Sequence, residues 1–379
     1  MTNMGCKDIF FFLGTEAELI KVFPVIMECM QRGGICHVIA SGQNDLTKSR
    51  IMKEVSLNGK FMELSKESDI KKSAKGLLVW FAQTYLGAVR KIKCEFDKDV
   101  LRDAPIVVHG DTVSTFMGAL IGKKLGCKIC HVEAGLRSHH LFNPFPEEID
   151  RLLTSKLARI HFAPGEEPYQ NLIRAKGQVI NTRYNTILDS LKYSRKLPVI
   201  SDSISTVLSK DYFVFVMHRQ ENLANREFVQ QVVEQVKGLA VGGRSCVLIL
   251  HKITESILES MNILSELKEN KGFILFPRVD YFDFMKLLDY AKYVITDGGS
   301  NQEELYYMGK PCLIMRKTTE RREGIGKNAV LFDGKMNHIS SFGQEYYKYE
   351  IPKKDPGESP SKIVAKRLTE MNRKLRRND

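Results

Sequence analysis

Short, wholly apolar runs alternate with longer amphipathic runs along this chain, and that alternation limits the possible folds more than any other feature. In the first half, IFFFLG precedes AELIKVFPVIMECMQRGG, and APIVVHGD precedes TVSTFMGALIGKKLG. Strands that are apolar on both faces lie inside a parallel sheet, and the amphipathic helices between them cover both sides of it. We therefore predict an α/β fold built on a doubly wound parallel sheet.

The same alternation begins again near residue 212, with YFVFVMH, SCVLILHK, GFILFPR and YVITDGGS. Because single cores stop growing at about 250–300 residues, the 379 residues predict two domains. We predict an N-terminal Rossmann-like domain over 1–182, a C-terminal Rossmann-like domain over 183–358, and a basic C-terminal helix over 359–379 that packs back on the first domain. Residues 181–186 are the predicted hinge, and ligands are expected beyond the carboxyl ends of the strands, in the cleft between the domains.

Composition restricts the cellular location and the kinds of binding partner that we expect for this protein. The apolar run at 9–13 is too short for a signal peptide or a membrane span, which predicts a cytoplasmic protein. The net charge of +12 favours an anionic partner. Much of that charge lies on the predicted C-terminal helix, where a solvated basic face explains it, so we expect a phosphorylated small molecule and neither nucleic acid nor membrane. The 8 cysteines are scattered, and CKICH at 127–131 is interpreted as part of a buried strand.

Four predicted strands end in polar residues, which is where ligands bind in doubly wound sheets. In chain order these residues are His109 and Asp111, Glu133 and Arg137, His218 and Arg219, and Asp297 with a glycine pair. The turn Gly298, Gly299, Ser300 precedes a predicted helix, so its backbone N–H groups could approach a phosphate, and Glu304 could accept ribose hydroxyls.

Each of these features also has a simpler interpretation. A glycine pair is typical of any tight turn, Asp111 could cap the next helix, His218 could be a core histidine, and Arg151 could pair with Glu147 along a helix. Their joint placement at strand ends favours a functional site.

The stretch HVEAGLRSHHLFNPFPEEIDR, at 131–151, brings acids close to aromatic residues. Its acids are Glu133, Glu147 and Glu148; the residues between them include His139, His140, Phe142 and Phe145. An apolar wall beside a carboxyl group is an environment that shifts its pKa. We interpret the stretch as acid–base machinery.

Eight motifs in order, VVHGDTVST, HVEAGLRS, PFPEEIDR, HFAP, MHRQEN, TDGGSNQEE, GKPCLIMR and TTERREG, resemble the UDP-N-acetylglucosamine 2-epimerase family. The resemblance runs from Gly14 to about Leu331. It implies the glycosyltransferase type B architecture, with two Rossmann-like domains facing a central cleft and the nucleotide on the second, and a homodimer.

The implied activity is non-hydrolysing interconversion of UDP-GlcNAc and UDP-ManNAc, or of a close UDP-N-acetylhexosamine, for cell-surface polysaccharide precursors. UDP leaves carbon 1 as the carbon-2 proton is removed and then re-adds, which needs no cofactor and no metal. A hydrolysing epimerase and a glycosyltransferase of the same fold stay open as alternatives.

By motif, the resemblance also implies the site residues. The implied catalytic residues are Lys21, Asp111, Glu133, Glu147, Arg151 and His218. The implied nucleotide-binding residues are Phe284 under the uracil, Gly298, Gly299, Ser300, Glu304 and Arg321.

Several positions differ from the family pattern. Glu16 replaces an arginine that contacts the nucleotide, Asn44 replaces a histidine of the bacterial activator site, and Arg322 replaces a proline. HKIT stands in place of His-x-Asn-Pro, and the glycine turn is Gly-Gly-Ser in place of Ser-Gly-Gly. A carboxylate at Glu16 would repel a phosphate, and Arg322 is the candidate to offset it.

Overall fold

Two all-parallel sheets, with helices between most consecutive strands, make up the computed structural model of the chain. The structure describes residues 7–66, 74–138, 146–316, 318–319, 321–355 and 357–374. It divides the chain into one unit of Met1–Ser190 with Glu358–Asp379 and a second unit of Leu191–Gly357. The predicted α/β class with two parallel sheets is confirmed. The division falls inside a helix at Ser190, later than the predicted boundary after 182, and the predicted hinge at 181–186 belongs to the first unit.

The sheet of the first unit has seven strands in the order β3-β2-β1-β4-β5-β6-β7. The strands are β1 (Lys7–Leu13), β2 (Gly34–Ala40), β3 (Phe61–Glu63), β4 (Pro105–His109), β5 (Lys128–Val132), β6 (Ile160–Ala163) and β7 (Gln178–Asn181). The helices are α1 (Glu16–Gln31), α2 (Arg50–Val55), α3 (Ala74–Glu95), α4 (Lys98–Leu101), α5 (Val113–Leu125), α6 (Glu147–Leu157), α7 (Glu166–Asn171) and the first part of α8 (Ile187–Lys196).

The second unit has six strands in the order β10-β9-β8-β11-β12-β13. They are β8 (Tyr212–Val216), β9 (Ser245–Leu250), β10 (Phe273–Pro277), β11 (Val294–Thr296), β12 (Cys312–Ile314) and β13 (Ala329–Leu331). Its helices are α9 (Asp202–Leu208), α10 (Gln220–Leu223), α11 (Arg226–Leu239), α12 (Lys252–Ser260), α13 (Ile263–Glu269), α14 (Tyr281–Tyr290), α15 (Gly299–Met308) and α16 (Asn337–Glu345).

Central strands are buried on both faces, as their apolar runs predict. Phe10, Phe11 and Phe12 of β1 all lie in the core although they alternate between the two faces of the sheet. Helix α5 lies very close to that sheet, because a Cβ atom on Gly118 would be 2.5 Å from the Phe12 ring. This close packing places the first turn of α5 at the carboxyl end of β4.

The C-terminal helix α17 (Pro360–Lys374) belongs to the first unit. Val364 and Leu368 are buried, and Met371 Sδ lies 3.9 Å from Cys130 Sγ of β5. Burial raises the pKa of the Cys130 thiol to about 12, so this cysteine stays protonated and contributes to packing. Among the described helices, none is long and apolar enough to cross a membrane.

Candidate active site

Neighbouring strand ends bring two predicted acids of the first unit to one edge of the sheet. β4 and β5 pair in parallel with His109 opposite Val132, so Asp111 and Glu133 both follow the carboxyl end of a strand. Glu133 has a φ of +61°, in the left-handed region that costs a residue with a side chain on the order of 1–3 kcal/mol. Strain at a sheet edge persists only where surrounding contacts hold the residue in place.

Three buried side chains hold the Glu133 carboxylate. Lys21 Nζ forms an ion pair with Oε2, and Asn185 Nδ2 donates a hydrogen bond to the same oxygen. His109 Nε2 lies 3.7 Å from it. Since Glu133 is only 8% exposed, the Lys21 ammonium supplies the opposite charge that a buried carboxylate needs. Asn185 is a site residue that the sequence analysis missed.

A second ion cluster surrounds Arg151 of α6. Its Nε donates to Asp111 Oδ2 at 2.9 Å, Nη2 donates to the same oxygen, and Nη1 donates to Glu148 Oε2 at 3.1 Å. Glu148 also accepts from the Ser138 N–H at 3.0 Å. The simpler interpretation of Arg151 as a helix partner of Glu147 is therefore wrong, because the guanidinium binds Asp111 across the connection and Glu148 along the helix.

The other simple interpretation, that Asp111 caps α5, is also wrong. Thr112 is the N-cap, and its hydroxyl accepts from the Thr115 N–H at 3.2 Å. The Asp111 carboxylate is thus directed to Arg151 and does not cap the helix.

Glu18 of α1 links the end of β1 to the loop that contains Asp111. The sequence analysis did not select this residue. It accepts hydrogen bonds from the Gly14 N–H at 2.6 Å and from the Thr112 hydroxyl at 2.5 Å. Burial, with a smaller contribution from the Asp111 charge, raises its pKa to about 7. The capping box formed by Thr15 and Glu18 was readable in GTEAELIK, since the pattern Thr-x-x-Glu precedes an apolar run.

The raised pKa of Glu18 predicts a pH-dependent stability of the first unit. The folded state binds this proton more tightly, so the stabilisation is complete below the ordinary pKa of 4.5 and is lost as pH rises through about 7. We expect the free energy of unfolding to fall by about 3 kcal/mol over that interval from this group, and Glu18→Gln to remove that fall. Exposed Glu95 offers the matched control Glu95→Gln, which should leave the pH dependence unchanged.

Trp80 is the only tryptophan of the chain and lies buried in the core of the first unit, so its fluorescence during urea unfolding at several pH values measures this effect. A pH dependence that persists unchanged in Glu18→Gln would contradict the assignment.

In the second unit, His218 and Asp297 follow adjacent strands, because β8 and β11 pair with Val216 opposite Thr296. Asp297 is fully buried and accepts from the His218 N–H at 3.1 Å, the Arg219 N–H at 3.0 Å and Asn222 Nδ2 at 3.1 Å. The His218 side chain is 34% exposed, so it is not the buried core histidine of the simpler interpretation.

His251 of HKIT stacks on the His218 ring, with centroids 4.7 Å apart. Burial, followed by the nearby His218 and Arg278, lowers the pKa of His251 to about 4. His251 is therefore neutral at physiological pH and limits how the His218 ring can turn.

The glycine turn before α15 has no room for a side chain at its first position. A Cβ atom on Gly298 would be 2.7 Å from Asn301 Oδ1 and 3.1 Å from the His218 ring. The Gly298 N–H donates to Thr296 Oγ1 at 3.0 Å and so stabilises the turn itself. Glu304, one turn further on, is buried and accepts from Asn301 Nδ2 at 3.1 Å.

Arg321 and Phe284 both belong to the second unit. Arg321 Nη1 donates to Glu303 Oε2 at 2.6 Å, and Gln302 Nε2 donates to the Arg321 carbonyl at 3.1 Å. The segment around Arg321 is thus fastened to α15 by two consecutive residues. Phe284 is half-buried on α14.

The structure places the predicted site residues in two sets. Lys21, Asp111, Glu133, Glu147 and Arg151 belong to the first unit, and His218, Phe284, Gly298, Gly299, Ser300, Glu304 and Arg321 belong to the second. His139, His140, Phe142, Phe145 and the Ser300 side chain lie outside what the structure describes. Within the described ranges, no group of three or more His, Cys, Asp or Glu side chains is arranged to hold a metal ion.

The chain has two parallel β-sheets covered by helices, and polar or ionised side chains lie at the ends of their strands. This arrangement defines a two-domain α/β enzyme. The family model described as UDP-N-acetylglucosamine 2-epimerase matches residues 34–344, and the chain belongs to that family.

Individual proteins similar to this chain support the same family assignment. The UDP-N-acetylglucosamine 2-epimerase of Methanocaldococcus jannaschii is 30% identical over 344 residues, covering 87% of this chain and 89% of the relative. The UDP-N-acetylglucosamine 2-epimerase of Salmonella typhimurium is 32% identical over 262 residues, covering 66% of this chain and 67% of the relative. The crystal structure of the M. jannaschii enzyme in complex with UDP-GlcNAc and UDP matches with a TM-score of 0.74 at 26% identity, covering 96% of this chain and 99% of that one. The resemblance inferred from the motifs is confirmed.

Proposed function

We propose that this protein is a non-hydrolysing UDP-N-acetylglucosamine 2-epimerase that interconverts UDP-GlcNAc and UDP-ManNAc. The observation that carries the proposal is the pair of carboxylates at adjacent strand ends, Asp111 and Glu133, each bound by its own cation. A relative at 26% identity is bound to UDP-GlcNAc and UDP, which supports the choice of substrate.

The chemistry explains the need for two carboxylates. When the carbon-2 proton moves to a base, the electrons of the carbon–hydrogen bond form the double bond between carbon 1 and carbon 2. At the same time the bond from carbon 1 to the UDP oxygen breaks, and UDP departs with the electron pair of that carbon–oxygen bond. Returning a proton to the opposite face of carbon 2 while a UDP oxygen attacks carbon 1 inverts the centre. A proton acceptor and a proton donor are required on different faces, and buried carboxyl groups suit both roles.

In this proposal the other residues either position the two carboxylates or bind the leaving UDP. Arg151 and Lys21 hold Asp111 and Glu133 in place, and His218 acts on the departing diphosphate. Gly298, Gly299 and Ser300 hold that diphosphate at the N-terminal end of α15, Glu304 binds the ribose and Phe284 the uracil. Arg321 supports this turn through Glu303.

Two alternatives differ in their products. A hydrolysing epimerase adds water to the intermediate and releases free N-acetylmannosamine and UDP. A glycosyltransferase of the same fold transfers the sugar without removing the carbon-2 proton, so it has no use for a base at that carbon.

Incubation with UDP-GlcNAc in deuterated water, followed by NMR, distinguishes these outcomes. The proposal predicts UDP-ManNAc in the mixture and deuterium at carbon 2 of both sugars. Free N-acetylmannosamine with UDP would identify the hydrolysing reaction. Neither exchange nor product with any UDP-sugar would exclude both epimerases.

We further propose that the protein works as a cytoplasmic homodimer. Helix α3 supports the dimer, since Leu78 and Leu86 are 71% and 74% exposed in the single chain and would be covered by a partner. Light scattering after size exclusion is expected to give twice the mass of 43.2 kDa. A monomeric mass would contradict the dimer.

A further inference from the structure

Asp150 of α6 is a buried acid to which the proposed reaction assigns no role. It is 6% exposed, and its Oδ2 has no hydrogen-bond partner among the described residues. It lies next to Arg151 in the chain, but Arg151 directs its donors to Asp111 and Glu148. A buried carboxylate without a cation or a donor is costly, so such a group avoids ionising.

Among the described residues, the two charged groups that act on Asp150 are both negative. They are Asp111, in the connection between β4 and α5, and Glu147, on the same helix as Asp150. Helix α5 packs against α6, but its basic residues Lys123 and Lys124 lie in its last turn, at the end opposite Asp111. Burial first, then Asp111 and Glu147, raise the pKa of Asp150 to about 7.

On β5, another element that packs against α6, the charged or titratable residues are Lys128 at its first position and His131. His131 is buried, and its Nε2 is bonded to the Gly110 carbonyl at 2.7 Å. Burial lowers the pKa of His131 to about 4, so it is neutral when Asp150 titrates and supplies no cation. Among the described residues, Arg151 is the cation bound to Asp111, and Arg137 lies 3.9 Å from Glu148 as a second cation of the cluster.

We propose that Asp150 is a positioning residue that works as a neutral carboxylic acid beside Asp111, and that its ionisation switches the site off at alkaline pH. This inference rests on the proposed epimerase function. While Asp150 is neutral, Arg151 binds the charges of Asp111 and Glu148, and Arg137 lies close to the second of them. An ionised Asp150 adds another negative charge near Asp111, which competes for the same guanidinium and repels the diphosphate of a UDP-sugar.

The variant that tests this is Asp150→Asn, because asparagine has the shape of the neutral acid and cannot ionise. For the natural chain, kcat/KM for UDP-GlcNAc is expected to fall about 10-fold between roughly pH 6.5 and pH 8.5. Asp150→Asn should match the natural chain within about 2-fold at the lower pH and keep that activity at the higher pH. Asp202→Asn, an exposed aspartate of α9, is the matched control and should retain the alkaline fall.

Two outcomes overturn the proposal. If Asp150→Asn keeps the alkaline fall, another group is responsible. If it loses activity already at the lower pH, where Asp150 is protonated, the proton itself takes part in the reaction and the residue is not merely a positioning group.

A measurement that does not depend on turnover separates this proposal from the epimerase function. Infrared difference spectra of a chain carrying Glu18→Gln, which removes the other carboxyl with a pKa of about 7, should show the C=O stretch of a protonated carboxyl that disappears between about pH 6 and pH 8. That band should be missing when Asp150→Asn is added. Its presence in a chain without epimerase activity would support the protonated Asp150 and reject only the reaction. Its absence from the Glu18→Gln chain at the lower pH would reject the protonated Asp150 even if Asp150→Asn failed to fold.

Discussion

Replacing Glu133 with glutamine is expected to lower turnover by about 100-fold or more while changing substrate affinity only modestly. Glutamine has nearly the same shape, so the strand end and the buried pocket persist, but it can neither accept nor return the carbon-2 proton. Lys21 also loses its counter-charge, which adds to the loss in the transition state more than in the bound substrate. Steady-state kcat and KM for UDP-GlcNAc, with calorimetric titration of UDP, measure the two effects separately.

Asp111→Asn should behave in the same way, because Asp111 is held by Arg151 at the adjacent strand end. The matched control is Glu95→Gln, an exposed acid of the same unit, which should leave both constants unchanged. If either site variant loses affinity for the UDP-sugar but keeps its turnover, the carboxylate holds the ligand and is not the acid–base group.

The second large effect is expected at Arg321. Glu303 is only 1% exposed and accepts a hydrogen bond from Arg321 Nη1 at 2.6 Å. Removing the guanidinium takes from a buried carboxylate the ion-pair partner 2.6 Å from it, so Arg321→Met should lower the free energy of unfolding by about 3 kcal/mol. Calorimetric unfolding measures this change, since Trp80, the only tryptophan of the chain, belongs to the first unit.

The double variant Arg321→Met with Glu303→Leu separates support of the fold from contact with the nucleotide. Removing both charges should restore much of the stability, because no unpaired ion remains. If Arg321 acts only by fastening its segment to α15, UDP affinity should recover with stability. UDP affinity that stays low in a stable double variant would show that Arg321 itself contacts the nucleotide. An unchanged stability in Arg321→Met would contradict the role of the ion pair.

Edge strands show where pattern alone was insufficient for the fold. The run of Phe10, Phe11 and Phe12 identified β1 because a strand inside a parallel sheet is apolar on both faces. In contrast, β3 and β13 have three residues each, and the residues of β7 are partly or fully exposed. Such short or half-solvated strands carry no distinctive pattern, and pairing with a neighbour decides whether they form.

The candidate site also has one part that sequence patterns select and another that only folding brings together. Strand-end motifs and their order were sufficient for the family and for the α/β class, and they selected Asp111, Glu133 and Arg151 as candidates, because parallel strands bring their carboxyl ends to one edge. Folding alone brought Glu18 to Thr112, Asn185 to Glu133, and a buried Asp150 close to Asp111. These partners are far apart in sequence or have no motif of their own, and burial and hydrogen bonding, which exist only in the folded chain, set their charge. The sequence by itself determined which chemical groups are present; the tertiary structure decided which of them are paired, buried or protonated.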